Sequence, residues 1–188
     1  MDERLWDGVV RSIMSGHAEL MEQCGMVLRP QLFAFADGRL RGFVQLRPVY
    51  RGQDAAQGIA EMSGFAAAAG ADEVIAAWET QDLAVACDLP PIRPDPSISI
   101  VWAVPERHVL YRFPYLEEQL PGRTEDGLLP AAARWLEPEP AAPDAELEPA
   151  IEALLDFSFE PFDTDDPDVL ANFATYLESQ GYTVSLTI

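Results

Sequence analysis

The chain contains no lysine; all twelve of its basic side chains are arginine. That absence removes Schiff-base chemistry, a phosphate-gripping P-loop lysine and any lysine general base. Cysteine is scarce, with only Cys24 and Cys87. Two thiols make no disulfide framework and read as small apolar groups in a reduced, cytoplasmic protein. No run of about 18 apolar residues is present, so no membrane-spanning helix is expected. The opening Met1-Asp2-Glu3-Arg4 lacks the basic and apolar regions of a signal peptide. Histidine occurs only at His17 and His108. There is no G-x-S-x-G elbow, no cysteine-protease signature and no glycine-rich phosphate loop. Gly58 and Gly64 fall inside a helical pattern, where they allow close helix packing rather than phosphate binding.

What the chain has is apolar bulk and negative charge. Its hydrophobic share is 48%, with 9 Phe, 4 Trp and 5 Tyr, which is enough to build a core. Its 32 acidic side chains against 12 basic ones leave a net charge of −20. The imbalance is concentrated. Residues 1–115 hold 15 acids and 10 arginines, whereas residues 116–188 hold 17 acids and only Arg123 and Arg134. Such a surface favours a basic partner and opposes direct binding to nucleic acid. The one basic concentration is Arg29, Arg39, Arg41, Arg47 and Arg51, and alternation would place Arg39, Arg41 and Arg47 on one strand face.

Periodicity predicts an α+β fold. Leu5, Val9, Ile13, His17, Leu20 and Cys24 recur at helical spacing over 2–24, with Gly25 as a stop. Residues 31–36 and 39–47 flank Asp37-Gly38, a hairpin signal. Asp54 is placed to cap a second helix running to Ala69. Strands are expected at 73–78, 98–104 and 108–113. The order helix-strand-strand-helix-strand-strand-strand implies a mainly antiparallel sheet flanked by helices. It resembles the arrangement shared by roadblock, longin and profilin-type proteins, a likeness of architecture and not of function. This main domain covers roughly 1–120. Residues 121–149 read as a Pro-rich acidic linker with polyproline character, with a short helix closing at Arg134-Trp135-Leu136. Residues 150–188 read as a tail unit: a strand at 154–159, a helix opened by Asp166-Pro167 and a strand at 182–188, with a parallel right-handed crossover.

The run Asp156-Phe157-Ser158-Phe159, an acidic turn, a helix carrying Ala171, Phe173 and Leu177, and then Gly181-Tyr182-Thr183-Val184 resembles one half of the repeat in the ribonuclease E inhibitor family RraB. The match covers about 32 of 188 residues. The resemblance implies a ferredoxin-like half-unit and an acidic protein that acts by binding another protein.

Chemistry candidates are few. His17 and Cys24 share a helix face, but it is the apolar one, so core packing is expected and no metal ligand is assigned. Ser12 or Ser15 with His17, and Cys87 with His108, lack the surroundings of a nucleophilic site. Glu79, Asp82 and His108 are the candidates should the chain be an enzyme. The acids Asp163, Asp165, Asp166 and Asp168 lack the glycine of a calcium loop and suit a helix start. The reading is a non-catalytic acidic protein (adaptor, inhibitor or immunity-type factor) without cofactor. It recognises a basic protein through Asp163, Asp165, Asp168, Glu137 and Glu139. The alternatives are an enzyme of undetected class and a DNA mimic that presents its carboxylates as phosphates.

Overall fold

The computed structural model describes residues 3–90, 95–124, 127–162 and 166–187. The fold is α+β, with helices on both faces of one antiparallel sheet. In chain order the elements are α1 (Glu3–Cys24), β1 (Gln31–Ala36), β2 (Arg39–Gln45), α2 (Gln53–Glu61), α3 (Ser63–Ala68), β3 (Glu73–Glu79), α4 (Thr80–Ala86) and β4 (Ser97–Val104). Then follow β5 (Arg107–Gln119), β6 (Ala131–Trp135), β7 (Ala142–Pro143), α5 (Pro149–Ser158), α6 (Val169–Ser179) and β8 (Thr183–Leu186). The strands run in the order β6-β5-β4-β3-β1-β2-β8, and β7 pairs with β5.

Strand β3 is central, and all seven of its residues are buried. A strand buried on both sides must be covered from both sides. On one face α1 presents Val9, Ile13, His17 and Met21, one turn apart, against Phe33, Phe35, Ile75, Ile98, Ile100 and Tyr115. On the other face α2, α3, α5 and α6 cover Leu32, Val44, Val74, Ala76, Trp78 and Val101.

The β1–β2 hairpin is the expected one. Ala36 pairs with Arg39, and the two turn residues Asp37 and Gly38 have φ of 53° and 69°. Both central residues being left-handed is the primed turn that matches strand twist. The Asp72 carboxylate accepts the Asp37 N–H at 3.0 Å and fixes the turn to the start of β3.

Several expectations give way. The helix expected over 54–69 breaks at the buried Met62 into α2 and α3, and Asp54 does not cap it. Gly52 stands at the cap, while Asp54 accepts the Tyr50 N–H at 2.6 Å and pairs with Arg47 at 2.7 Å. The expected arginine face also dissolves. A register shift between Ala34 and Phe35 leaves Arg41 unpaired with β1, and Arg47 turns to Asp54 in α2.

The segment expected as a short helix before Leu136 is β6, whose helix-prone Ala-Ala-Ala-Arg is overridden by pairing with β5. The segment 154–159, expected as a strand, is mostly the last turns of α5. Ala150, Ile151, Leu154, Leu155 and Ser158 are its buried face, at spacings no strand would give. With no strand there, no parallel crossover exists; β8 instead pairs antiparallel with β2, Val184 opposite Val44.

The acidic stretch after Leu136 follows β5 closely. The Glu139 N–H donates to the Arg112 carbonyl, β7 pairs with Val109 and Leu110, and the Asp144 N–H donates to the His108 carbonyl. Leu147 and Glu148 are buried at its end. Helix α6 and β8 close the other flank. Gly64 on α3 has no side chain because the Phe173 ring of α6 occupies that space. The Tyr182 hydroxyl, just before β8, donates within reach of both the Gly58 carbonyl (2.9 Å) and Glu61 Oε2 (2.6 Å).

Replacing Gly38 by Val is expected to destabilise the fold by about 1–2 kcal/mol, because a β-branched residue resists φ near 69°. A denaturant melt of that variant matching the parent would remove the turn argument.

Candidate functional site

The acids named from sequence do not gather in one place. Glu137 is exposed, and Glu139 lies 4.0 Å from Arg112 on β5. Asp168 sits at the cap position of α6 without a side-chain cap bond. Asp166, expected as that cap, lies two residues earlier. Its Oδ1 accepts the Asp168 N–H and its Oδ2 accepts Asn172 Nδ2, each at 2.9 Å. Asp163 and Asp165 lie outside the described residues. Helix α6 packs on α3 and β8, and β8 stands five places from β5 in the sheet. The two acids thus stand on different elements, Glu139 along β5 and Asp166 before α6.

The enzyme candidates are dispersed into structural tasks. Glu79 is buried and caps α4: its Oε2 accepts the Asp82 N–H at 2.6 Å and its Oε1 the Ser97 N–H at 3.2 Å. Burial raises its pKa, and those backbone donors offset part of the rise. His108 Nε2 bonds the Ala145 carbonyl at 2.8 Å and fastens the acidic strap to β5. Cys87 is half-buried, and its thiol is pushed up by burial and by the nearby charges of Glu148 and Asp88, the wrong direction for a nucleophile. His17 accepts the Leu28 N–H on Nδ1 at 3.2 Å, so its proton resides on Nε2. That nitrogen has no hydrogen-bond partner among the described residues; the ring stands edge-on to Tyr115, with centroids 4.8 Å apart. Among the described residues no three His, Cys, Asp or Glu side chains converge as metal ligands.

Two polar groupings escape sequence reasoning. The first is internal. Thr80 Oγ1 lies 2.9 Å from Ser97 Oγ and 2.8 Å from Ser99 Oγ, all three residues being buried. Beside them on the helix-covered face are Arg112, opposite Ser99, and the buried Glu148 at the start of α5. Burial raises the Glu148 pKa, and its own backbone N–H, Arg112 and the Trp78 indole offset part of that. The indole feels Glu148 but makes no well-aligned hydrogen bond to it.

The second grouping is on the surface. From Trp135 to the C-terminal residue the sequence holds 13 acids and no Arg, Lys or His. On α5 and after it, Glu152, Asp156 and Glu160 are exposed, and on and before α6 so are Asp166, Asp168 and Glu178. Between them stand three aromatic rings with large exposure: Phe157 at 50%, Phe162 at 39% and Tyr176 at 49%. Phe162, Phe173 and Tyr176 form a chain of rings, each 5.6 Å from the next, along a groove of about 310 Å³ that also includes Asp166, Val169 and Asn172. The acids were visible in the sequence as charge. The aromatics were not, because Phe157 and Phe159 suit a strand interior equally well until α5 turns Phe157 outward.

Comparison of the chain with protein-family models, with curated proteins and with solved structures finds no match in any of the three.

Two buried ionisable groups give the fold opposite pH responses. Burial lowers His17 from 6.5 to about 4, so the unfolded chain takes a proton first as pH falls. Its contribution is full above about pH 6.5 and is lost toward pH 4, by at most about 3 kcal/mol. An imidazole NMR titration with a midpoint near 6.5 would refute this. Glu148 behaves inversely. Its folded pKa is raised, so the unfolded state ionises first and stability falls as pH rises from about 4.5. Glu148→Gln should therefore be more stable than the parent at neutral pH, by on the order of 1 kcal/mol, with the gap closing at pH 4. A neutral-pH melt showing the variant equal or weaker would sink that account.

Proposed function

We propose that this chain is a non-catalytic, acidic binding factor that recognises a basic protein through the outer surface of α5 and α6. One observation carries the reading: exposed aromatic rings lie among acids on a stretch of chain that has no cation of its own. Isolated exposed apolar residues are ordinary, but aromatics clustered in a field of one charge sign suit a partner that brings both cations and apolar area. The acids need not be there to solubilise a weak core, since α5 is held by an inner face of Ala150, Ile151, Leu154 and Leu155, with only Ser158 polar. Glu137, Glu139, Asp163, Asp165 and Asp168 extend this surface in sequence, and in this reading they steer the partner's approach.

Long-range attraction of this kind is screened within about 8 Å at physiological ionic strength. A partner captured from extract of the source cells should bind tightly at low salt and weaken steeply as salt rises. Changing Asp156 and Glu160 together to Asn and Gln should weaken the complex about tenfold, or about 1.4 kcal/mol, and leave the melt unchanged. Titration calorimetry at two salt concentrations reads both effects. Affinity independent of salt and of these substitutions would leave the acids as a solvated coat with no recognition role.

A further inference from the structure

We infer that the Phe162–Phe173–Tyr176 groove takes an arginine side chain of the basic partner, and discriminates arginine from lysine. The inference rests on the proposed binding of a basic protein and specifies how one of its side chains is read. The walls are aromatic: Phe162 stands edge-on to Phe173 at 74°, and Phe173 inclines to Tyr176 at 48°. Phe173 is anchored, because its ring fills the space left by Gly64 on α3. Phe162 and Tyr176 are half-open on either side of it and offer their rings to solvent. At about 310 Å³ the groove lies at the lower limit of small-molecule sites, a size that suits one inserted side chain.

Charge sets the chemistry of that side chain. Asp166 lines the groove, and its carboxylate is held in place by the Asp168 N–H and the Asn172 amide. The α6 N-terminus places about half a positive charge nearby, which would oppose a cation. Asp166 and Asp168 bring two negative charges to that same end and outweigh it. A cation entering an aromatic groove must shed water. A guanidinium is planar, weakly hydrated and stacks on rings, whereas an ammonium is a compact and strongly hydrated charge. Acid alone would accept either; aromatic walls favour the guanidinium.

The probes are two fluorescent nonapeptides of equal charge, one of arginine and one of lysine, titrated against the full chain at low and at physiological salt. The arginine peptide should bind at least about fivefold more tightly. Tyr176→Ala and Phe162→Ala should bring it down to the level of the lysine peptide while leaving the lysine peptide's affinity unchanged. Tyr176→Phe should keep the preference. Both alanine variants alter half-exposed rings, and an unchanged melting temperature verifies that the fold survives. Should either variant fold poorly, Phe162→Leu, which keeps apolar bulk and removes the ring, must still lose the preference. Equal, salt-dependent binding of the two peptides overturns the groove and leaves the acidic-surface reading standing. An arginine preference that persists in Tyr176→Ala and Phe162→Ala also overturns the groove. If neither peptide binds at low salt, both readings fall.

Discussion

The structure depends on covering the second face of β3. This strand carries no residue open to water, so the sheet must be sandwiched along its middle. The N-terminal half of the chain supplies α1 for one face and only the short α2, α3 and α4 for the other. Trp78, Val101 and Leu110 on that second face are roofed by Leu147, Ala150, Ile151, Leu154 and Leu155. The most acidic part of the molecule therefore serves as core on its inner side. Its charges are pushed outward by necessity, since burying a carboxylate without a partner is costly. An acidic outer surface and a hydrophobic roof are two sides of the same helix.

That arrangement leaves ionisable groups buried on both faces of the sheet. His17 under α1 is kept neutral, and Glu148 under α5 is kept near Arg112 and Trp78. The polar interior around Thr80, Ser97 and Ser99 has its hydroxyls satisfied by one another and by the Ser97 carbonyl. Such a network specifies how α4, β4 and β3 meet, since a shift of one residue would strand three buried hydroxyls.

The first half of the fold was legible because its signals are local. The Asp37-Gly38 turn, the α1 stripe and the alternation in β4 each depend on residues within a few positions. The signals failed where a distant element decides. Ala131–Trp135 becomes a strand only because β5 is there to pair with it. Asp156-Phe157-Ser158-Phe159 reads as a strand if the preceding Ala150, Ile151, Leu154 and Leu155 are not counted with it. The bulge at Arg41 scatters an arginine face that strict alternation predicts. Acidity was readable as a number, but its geometry was not. Glu139 runs beside β5 while Asp166 stands before α6, and the aromatic groove joins Phe162 to residues of a helix that begins seven positions later. Ring exposure is a tertiary property, and nothing in the local sequence reports it.

The clasp at Tyr182 bears on how the chain reaches this state. Its hydroxyl meets the Gly58 carbonyl across 124 residues, and β8 completes the sheet beside β2 over a similar separation. Closing so long a loop is slow, and without β8 the outer edge of β2 has no strand beside it. An open hairpin edge is a template for a foreign strand, so the C-terminal strand shields the sheet as well as completing it.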